Sequence, residues 1–225
     1  MSAPEFSFDQ LDDLSLAVST TKRPKSFAAG RLGPLVELSS LQRLGHSCLP
    51  KLTDLRLTQR LQALLRVSEE TCFRNTQASI QLTKVFWDRD DEPDQWMTLC
   101  RDLESRAITS GFDKSCARGL VAALREFVDN IHDHSEAAVT GLAGYAIASN
   151  DLEIVVADSG IGMLQSLRSS SEFRYLTDSG QALKIAIEDG KSRHGSLSGH
   201  GRGFRPLFQG LSNLASFLRI RSGDS

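Results

Sequence analysis

The sequence predicts an α+β protein, a two-layer α/β sandwich in which helices cover one face of a mixed, largely antiparallel sheet. An amphipathic helix over residues 120–135, the central helix, is the first observation behind this prediction. Two strands follow it, over residues 139–149 and 152–157. The two-residue turn between them, Asn150-Asp151, is typical of a tight hairpin.

Composition indicates an ordinary soluble globular protein. The chain has 225 residues, enough for one large or two modest domains, with 40% hydrophobic and 24% charged residues. A net charge of −2 gives no general electrostatic case for binding nucleic acid or an anionic membrane. No apolar run approaches the ~20 residues of a membrane helix, and the acidic N-terminus lacks the order of a signal peptide.

The cysteines show no metal-ligand spacing. They are widely separated and form no C-x-x-C pair. We therefore expect reduced, partly buried thiols in a cytoplasmic protein: Cys48, Cys72, Cys100 and Cys116.

The first part of the chain is predicted to be loop followed by helices. Residues 1–34 mix Ser, Gly, Pro and charges, and we expect much of this segment to be loop or loosely docked. Leucines recur densely over residues 35–67, where Pro50 should separate two helices, the second starting near Thr53. These leucines indicate a core or a surface between paired helices.

The approach to the central helix contains one strand and one helix. Residues 78–87 are rich in β-formers and predict a strand, and residues 95–110 predict a helix that ends at Gly111. Asp113 or Ser115 can cap the central helix. Beyond the hairpin, the sequence predicts a Ser-rich loop, helices over residues 178–188 and 205–214, and a strand over residues 216–221.

The central helix carries an apolar and a polar face. The apolar stripe is made by Leu120, Val121, Leu124, Phe127, Val128 and Ile131. Glu126, Asn130 and His134 recur at i, i+4 and i+8 on the other face. Such a set could hold a metal ion and its phosphate ligands, with Glu126 accepting a proton from water. The alternative is the solvated face of an amphipathic helix.

Two glycine-containing segments downstream of the central helix contain further candidate ligand-binding residues. Asp158, Gly160 and Gly162 follow the end of a strand, where the carboxylate can accept a hydrogen bond from a ligand amine and the glycines allow close approach. A simple strand-to-loop turn is the alternative. The second segment leads into a helix, whose N–H groups favour phosphate, and contains Gly199, Gly201, Arg202 and Gly203. It fits neither a P-loop nor a dinucleotide fingerprint.

Taken in order, these motifs resemble the GHKL superfamily, whose members share the Bergerat ATP-binding fold of gyrase B subunits, MutL, histidine kinases and anti-sigma-factor kinases. The resemblance covers roughly residues 111–221. Residues 126–130 (EFVDN) look like the N box, and residues 158–162 (DSGIG) look like the first glycine box. Residues 199–203 (GHGRG) look like the second glycine box.

The resemblance implies roles for these residues. Asn130 would bind Mg²⁺ together with ATP phosphates, and Glu126 would activate or position water. Asp158 would accept from the adenine amino group, and Gly162 would let the base sit against the backbone, with Gly160 in the same box. Gly201 and Gly203 would meet the phosphates, and His134 could reach one. Gly199 and Arg202 belong to the second glycine box, where Arg202 could add positive charge.

A mobile ATP lid is implied over residues 163–198. Lys191 and Arg193 are candidates to contact the γ-phosphate, and ordinary lid-surface charges are the alternative. The helix in this span is similar to that of stand-alone bacterial ATP-binding proteins of the superfamily. The fold normally needs another strand after residue 221, so either the chain is a fragment or a partner completes the sheet.

We therefore expect a helix-rich regulatory or dimerisation region over residues 1–110 and an ATP-binding domain over residues 111–225. The first function is a slow Mg²⁺-dependent ATPase or nucleotide-driven switch. A protein kinase acting on a partner in trans and a binding module without chemistry are the alternatives. The expected partners are ATP and a regulatory protein, a homodimer stays open, and no membrane or nucleic acid is expected.

Overall fold

The computed structural model describes residues 6–16, 26–27, 31–43, 51–52, 72–75, 80–85, 87, 91–148, 151–189 and 217–223. The first half of the chain contains α1 (Phe8–Leu16), β1 (Ser26–Phe27), α2 (Leu32–Arg43), β2 (Lys51–Leu52), β3 (Cys72–Asn75), β4 (Ile80–Val85) and α3 (Asp94–Thr109). The second half contains the central helix α4 (Lys114–His134), β5 (Gly141–Ala148), β6 (Asp151–Ala157), α5 (Gly162–Arg168) and α6 (Ser179–Asp189). Short 3₁₀ turns lie at Ala138–Thr140 and Ser171–Phe173.

The main sheet has four described strands in the order β3-β4-β5-β6, and every neighbouring pair is antiparallel. The hairpin predicted from residues 139–157 is confirmed as β5 and β6, which pair Leu142 with Ala157 and Ala148 with Asp151. Asp151 was predicted to lie in the turn, but it is the first residue of β6. A separate two-residue parallel pair joins β1 and β2. The α+β class is therefore confirmed, and the sheet draws strands from both sides of residue 110.

Both faces of this sheet are apolar. Successive side chains of a strand point to opposite faces, and consecutive positions of β5 and β6 carry apolar residues. On one face, Tyr145 and Ile147 of β5 pack with Trp96 of α3 and Leu124 of α4. On the other face, Leu142 packs in a second cluster. Its other members come from the residue stretch before α1, from α1, from α2 and from the neighbouring strands, namely Phe6, Leu11, Leu32, Leu35, Val36, Leu38, Leu41, Leu82 and Val155. The sheet therefore lies between two helical layers.

This arrangement corrects two sequence predictions. Helices were expected on one face of the sheet only, and that prediction is wrong because α1 and α2 cover the second face. A loosely docked loop was expected over residues 1–34, yet residues 8–16 are helical, and Phe6 and Leu11 are fully buried. The boundary between regulatory and ATP-binding regions near residue 110 stays a prediction.

The structure of the central helix agrees closely with the prediction from the sequence. The Asp113 side chain caps it by accepting from the backbone N–H of Cys116 at 2.9 Å, as predicted. The predicted apolar stripe is buried at Leu120, Leu124, Val128 and Ile131. Phe127 and Val121, also assigned to that stripe, are only half-buried.

Elements after the hairpin differ in part from the prediction. A Ser-rich loop was expected after Gly162, but α5 begins there, and Leu167 packs with Phe173, Leu176 and Ala182 in a small core. The helix predicted over residues 178–188 is confirmed as α6. The strand predicted over residues 216–221 is not formed over residues 217–221, which carry no regular secondary structure.

Within the described ranges, no helix combines the length and apolar character that crossing a membrane requires. The second leucine-rich helix, near Thr53, and the helix over residues 205–214 lie outside the described residues.

Glu153 attaches the second helical layer to the sheet. Its carboxylate, on β6, accepts the backbone N–H groups of Leu32 and Gly33 at 2.7 Å each, at the first turn of α2. Burial raises the pKa of Glu153 above its ordinary value of 4.5, although the two backbone N–H bonds oppose that shift. The ion pair between Arg31 and Asp151 lies beside this contact and is exposed.

Gly144 is a position on β5 where neighbouring atoms leave no room for a side chain. A Cβ there would lie 2.6 Å from Leu82 Cδ2 and 2.9 Å from Leu82 Cα on β4. We expect Gly144→Ala to lower the free energy of unfolding by about 1–3 kcal/mol through overpacking. Urea denaturation followed by circular dichroism measures it.

Gly119 provides the matched control, since it is exposed within α4 and nothing lies within 4 Å of an added Cβ. Gly119→Ala should stabilise the protein by about 0.5–1 kcal/mol because alanine favours helix. Equal effects of the two substitutions would contradict the packing assigned to β4 and β5.

The raised pKa of Glu153 predicts a pH dependence with a definite sign. A group whose pKa is higher in the folded state than in the unfolded state contributes stability below its unfolded pKa, near 4.5, and loses it as pH rises through the folded pKa. Wild type should therefore gain stability relative to Glu153→Gln as pH falls from 7 towards 4.5. Parallel urea titrations of the two proteins test this, and the opposite trend would refute the effect of burial.

Candidate functional site

The polar face of the central helix is partly enclosed. Glu126, Asn130 and His134 are each half-buried, at successive turns of α4. Glu126 and His134 interact with other groups of the protein. The side-chain nitrogen of Asn130 is buried and donates no hydrogen bond. Since an unpaired buried donor costs about 1–3 kcal/mol, this amide is a candidate for contact with a bound ligand.

The first glycine loop (residues 158–162) begins directly after β6. Asp158 is exposed, and its carboxylate accepts the backbone N–H of Gly160 at 2.8 Å, which closes a tight turn. Thr140 holds Ser159, the residue after Asp158, because its hydroxyl oxygen accepts the N–H of Ser159 at 2.9 Å. The Thr140 hydroxyl in turn donates to the carbonyl oxygen of Ala137. Gly162 has φ = +72°, a conformation that glycine adopts without strain.

This loop lies against the end of the central helix. The N–H of Ile161 donates to the carbonyl of Ser135 at 2.9 Å. A Cβ on Gly160 would lie 2.6 Å from Ser135 Cβ and would overlap the Ser135 carbonyl. Gly160 is thus required by close approach of two backbones, and Gly162 by its positive φ.

The contact brings together the two sequence motifs that lie 32 residues apart at Glu126 and Asp158. Ser135 directly follows His134, and Asn130 lies five residues before Ser135, about 7.5 Å along the helix axis. The first glycine loop therefore meets the C-terminal end of the helix that carries Glu126, Asn130 and His134.

The other predicted site residues belong to the lid and to the second glycine segment. Lys191, Arg193, Gly199, Gly201, Arg202 and Gly203 lie outside the described residues. Within the implied lid span, residues 163–189 contain α5 and α6.

The described side chains show no preformed metal cage. In the parts of the chain that the structure describes, no three His, Cys, Asp or Glu side chains come together in a way that could hold a metal ion. A Mg²⁺ ion bound mainly by phosphates and water requires few protein ligands, and the oxygen of the Asn130 amide is of the type that Mg²⁺ accepts.

Two of the three described cysteines, Cys100 and Cys116, have thiols of raised pKa. Cys100 is buried, and burial raises its pKa to about 11. Burial also raises the pKa of Cys116. Both thiols are therefore protonated at neutral pH, and Cys72, Cys100 and Cys116 are free, as predicted. Cys72 is exposed, although the sequence had indicated partial burial.

Sequence reasoning missed two groups that shape the site. Thr140 holds the loop through Ser159, and Ser222 accepts the N–H of Met163 at 2.8 Å, just after the loop. A threonine before a strand gives no signal of this kind. Ser222 lies 59 residues from its partner, and no local pattern connects them.

A comparison with protein-family models, curated proteins and solved structures finds no match for this chain. A functional assignment therefore depends on the residues and the geometry of the site.

Gly160 offers a direct test of the contact between loop and helix. Gly160→Ala should push the loop away from Ser135, because the added methyl group overlaps backbone that cannot move aside. We expect a loss of about 1–3 kcal/mol of unfolding free energy and faster amide exchange at Ile161. Hydrogen exchange with mass spectrometry measures the second effect.

The neighbouring Ser159→Ala is the control, since the side chain of Ser159 is exposed and only its backbone N–H bonds to Thr140. It should leave exchange at Ile161 unchanged. Unaltered exchange in Gly160→Ala would show that the loop does not depend on this close approach.

Proposed function

We propose that this protein binds Mg²⁺-ATP at the surface bordered by the polar face of the central helix and the first glycine loop, as a GHKL-type protein with a Bergerat-like core. The observation that carries the proposal is the bond from Ile161 to the Ser135 carbonyl. It joins an N-box-like helix to a first-glycine-box-like loop, and random similarity of short motifs predicts no such contact.

The exposed carboxylate of Asp158 suits recognition of adenine. One of its oxygens accepts a single backbone N–H, from Gly160. A carboxylate offers about four acceptor positions, so Asp158 retains capacity to accept from an exocyclic amine. The loop holds this group in place through Thr140 and Ser135, which favours affinity because little ordering is needed on binding.

The helix face suits the phosphate end of the nucleotide. Asn130 presents one amide, whose buried nitrogen can donate to a phosphate or whose oxygen can bind Mg²⁺. Glu126 lies one turn earlier, where a carboxylate can orient or deprotonate water. We assign Glu126 the role of general base in a slow hydrolysis that drives a conformational switch.

The sheet and its first helical layer support the same assignment. An antiparallel sheet with α3 and α4 on one face forms a two-layer α/β unit, and the site lies at the end of the helix that packs on that sheet. The additional layer of α1 and α2 on the opposite face is a candidate for regulation by a protein partner.

Nucleotide binding is tested by calorimetry with a non-hydrolysable ATP analogue and Mg²⁺. Wild type should bind, and Asp158→Asn should weaken binding at least tenfold, because an amide NH₂ would face the adenine amine and because hydrogen bonds to charged groups contribute about 1.5–3 kcal/mol. Asn130→Ala should weaken binding in Mg²⁺ by a similar factor.

Asp94→Asn is the matched control, since Asp94 is an exposed aspartate in the first turn of α3. It should leave the dissociation constant unchanged. If wild type shows no heat of binding, the proposal is wrong. If Asp158→Asn binds as wild type does, the adenine contact is wrong.

The fate of the γ-phosphate then distinguishes hydrolysis from transfer. Incubation with γ-labelled ATP should release labelled phosphate, and Glu126→Gln should slow release by at least a hundredfold while binding is retained. Label on a protein band from added lysate would indicate the kinase alternative, and label retained on ATP would indicate binding without chemistry.

A further inference from the structure

The C-terminal segment (residues 217–223) touches both the first glycine loop and the outer helical layer. At one end, the hydroxyl oxygen of Ser222 accepts the N–H of Met163 at 2.8 Å. Ser222 Oγ also lies 3.2 Å from the position that a Cβ on Gly162 would occupy. The segment therefore packs against the last residue of the loop.

The other end of the segment is tied to α1 and α2. Arg219 donates to Asp12 of α1 at 2.6 and 3.0 Å and to Glu37 of α2 at 2.9 and 3.0 Å. Arg221 adds a bond to Glu37 at 2.7 Å. Arg219 also lies 4.7 Å above the ring of Phe8, so its planar group is held on several sides.

The pair between Arg219 and Glu37 is more enclosed than an ordinary surface pair, whereas the Asp12 side chain is 47% exposed. The Arg219 and Glu37 side chains are 22% and 15% exposed, and the arginine bridges two carboxylates on different helices. A planar guanidinium with five donors is suited to this arrangement, whereas an isolated exposed pair contributes little. The segment thus has a definite position relative to both helices.

We propose that the C-terminal segment couples the nucleotide site to the outer helical layer, with Ser222 and Arg219 as positioning residues. This inference rests on the proposed function, since the first glycine loop is taken as the adenine side of the site. Support from Ser222 holds the loop ready for ligand, and the Arg219 ion pairs hold the segment in the position from which Ser222 reaches Met163. By linkage, nucleotide binding must then stabilise the docking of α1.

The decisive variant is distant from the site. Asp12 lies on α1 and accepts hydrogen bonds from Arg219 of the C-terminal segment. Asp12→Asn should weaken nucleotide binding by about two- to fivefold, because it loosens Arg219. Ser222→Ala should weaken binding about three- to tenfold through loss of one hydrogen bond. The double variant should bind no more weakly than Ser222→Ala alone, since both changes act through the same segment.

Amide exchange gives a readout that needs no nucleotide. Ser222→Ala should speed exchange in α1, and Asp12→Asn should speed exchange at Met163. Arg101→Met, which removes an exposed arginine on α3, is the control and should do neither. Circular dichroism confirms that each variant is folded. Arg219→Lys keeps the positive charge but loses the planar guanidinium with its several donors, and it provides an intermediate case.

The outcomes separate the two proposals. If wild type binds nucleotide and Asp12→Asn binds equally well, with exchange at Met163 unchanged, the coupling is refuted. If wild type does not bind nucleotide, the proposed function is wrong. The exchange measurements then decide by themselves whether a change at α1 alters the stability of the backbone at Met163, and the reverse.

Discussion

The alternation of side chains along β5 and β6 is the constraint on which the rest of the structure depends. Tyr145 and Ile147 point to one side of the sheet, while Leu142 and Val155 point to the other. Neither set can be left in water without losing roughly 1.5–3 kcal/mol per large side chain, so the sheet needs a helical layer on each face. The central helix supplies one layer together with α3, and α1 and α2 supply the other.

The candidate site exists because the first of these layers brings a helix end to a strand end. Packing of Leu124, Val128 and Ile131 against the sheet fixes the position of the C-terminal half of α4, and the chain leaving β6 then meets Ser135. Only glycine fits at position 160, because the carbonyl of Ser135 occupies the space of a side chain. The site is therefore a consequence of core packing and is positioned by rigid elements, as a binding site requires.

The second helical layer, α1 and α2, connects the N-terminal and C-terminal parts of the described chain. Arg219 lies 207 residues from Asp12, and its ion pairs hold the pKa of that carboxyl below its ordinary value. The hydrogen bonds that Arg219 donates to the carboxylates of Asp12 and Glu37 in turn raise the pKa of Arg219. The charges are thus mutually stabilised at neutral pH, and the layer expected to be loop at its N-terminal end is docked through both apolar and charged contacts.

The sequence by itself determined the elements with strong local patterns. The apolar repeat and the Asp113 cap located the central helix, the two-residue turn located the hairpin, and strand followed by Asp158 located the first glycine loop. Local periodicity is sufficient for these because each depends on residues within a few positions of one another. Only the tertiary structure decided that α1 and α2 cover the second sheet face, that Gly160 meets Ser135, and that Ser222 supports Met163. Those outcomes depend on which distant surfaces fit together, and no spacing along the chain encodes that fit.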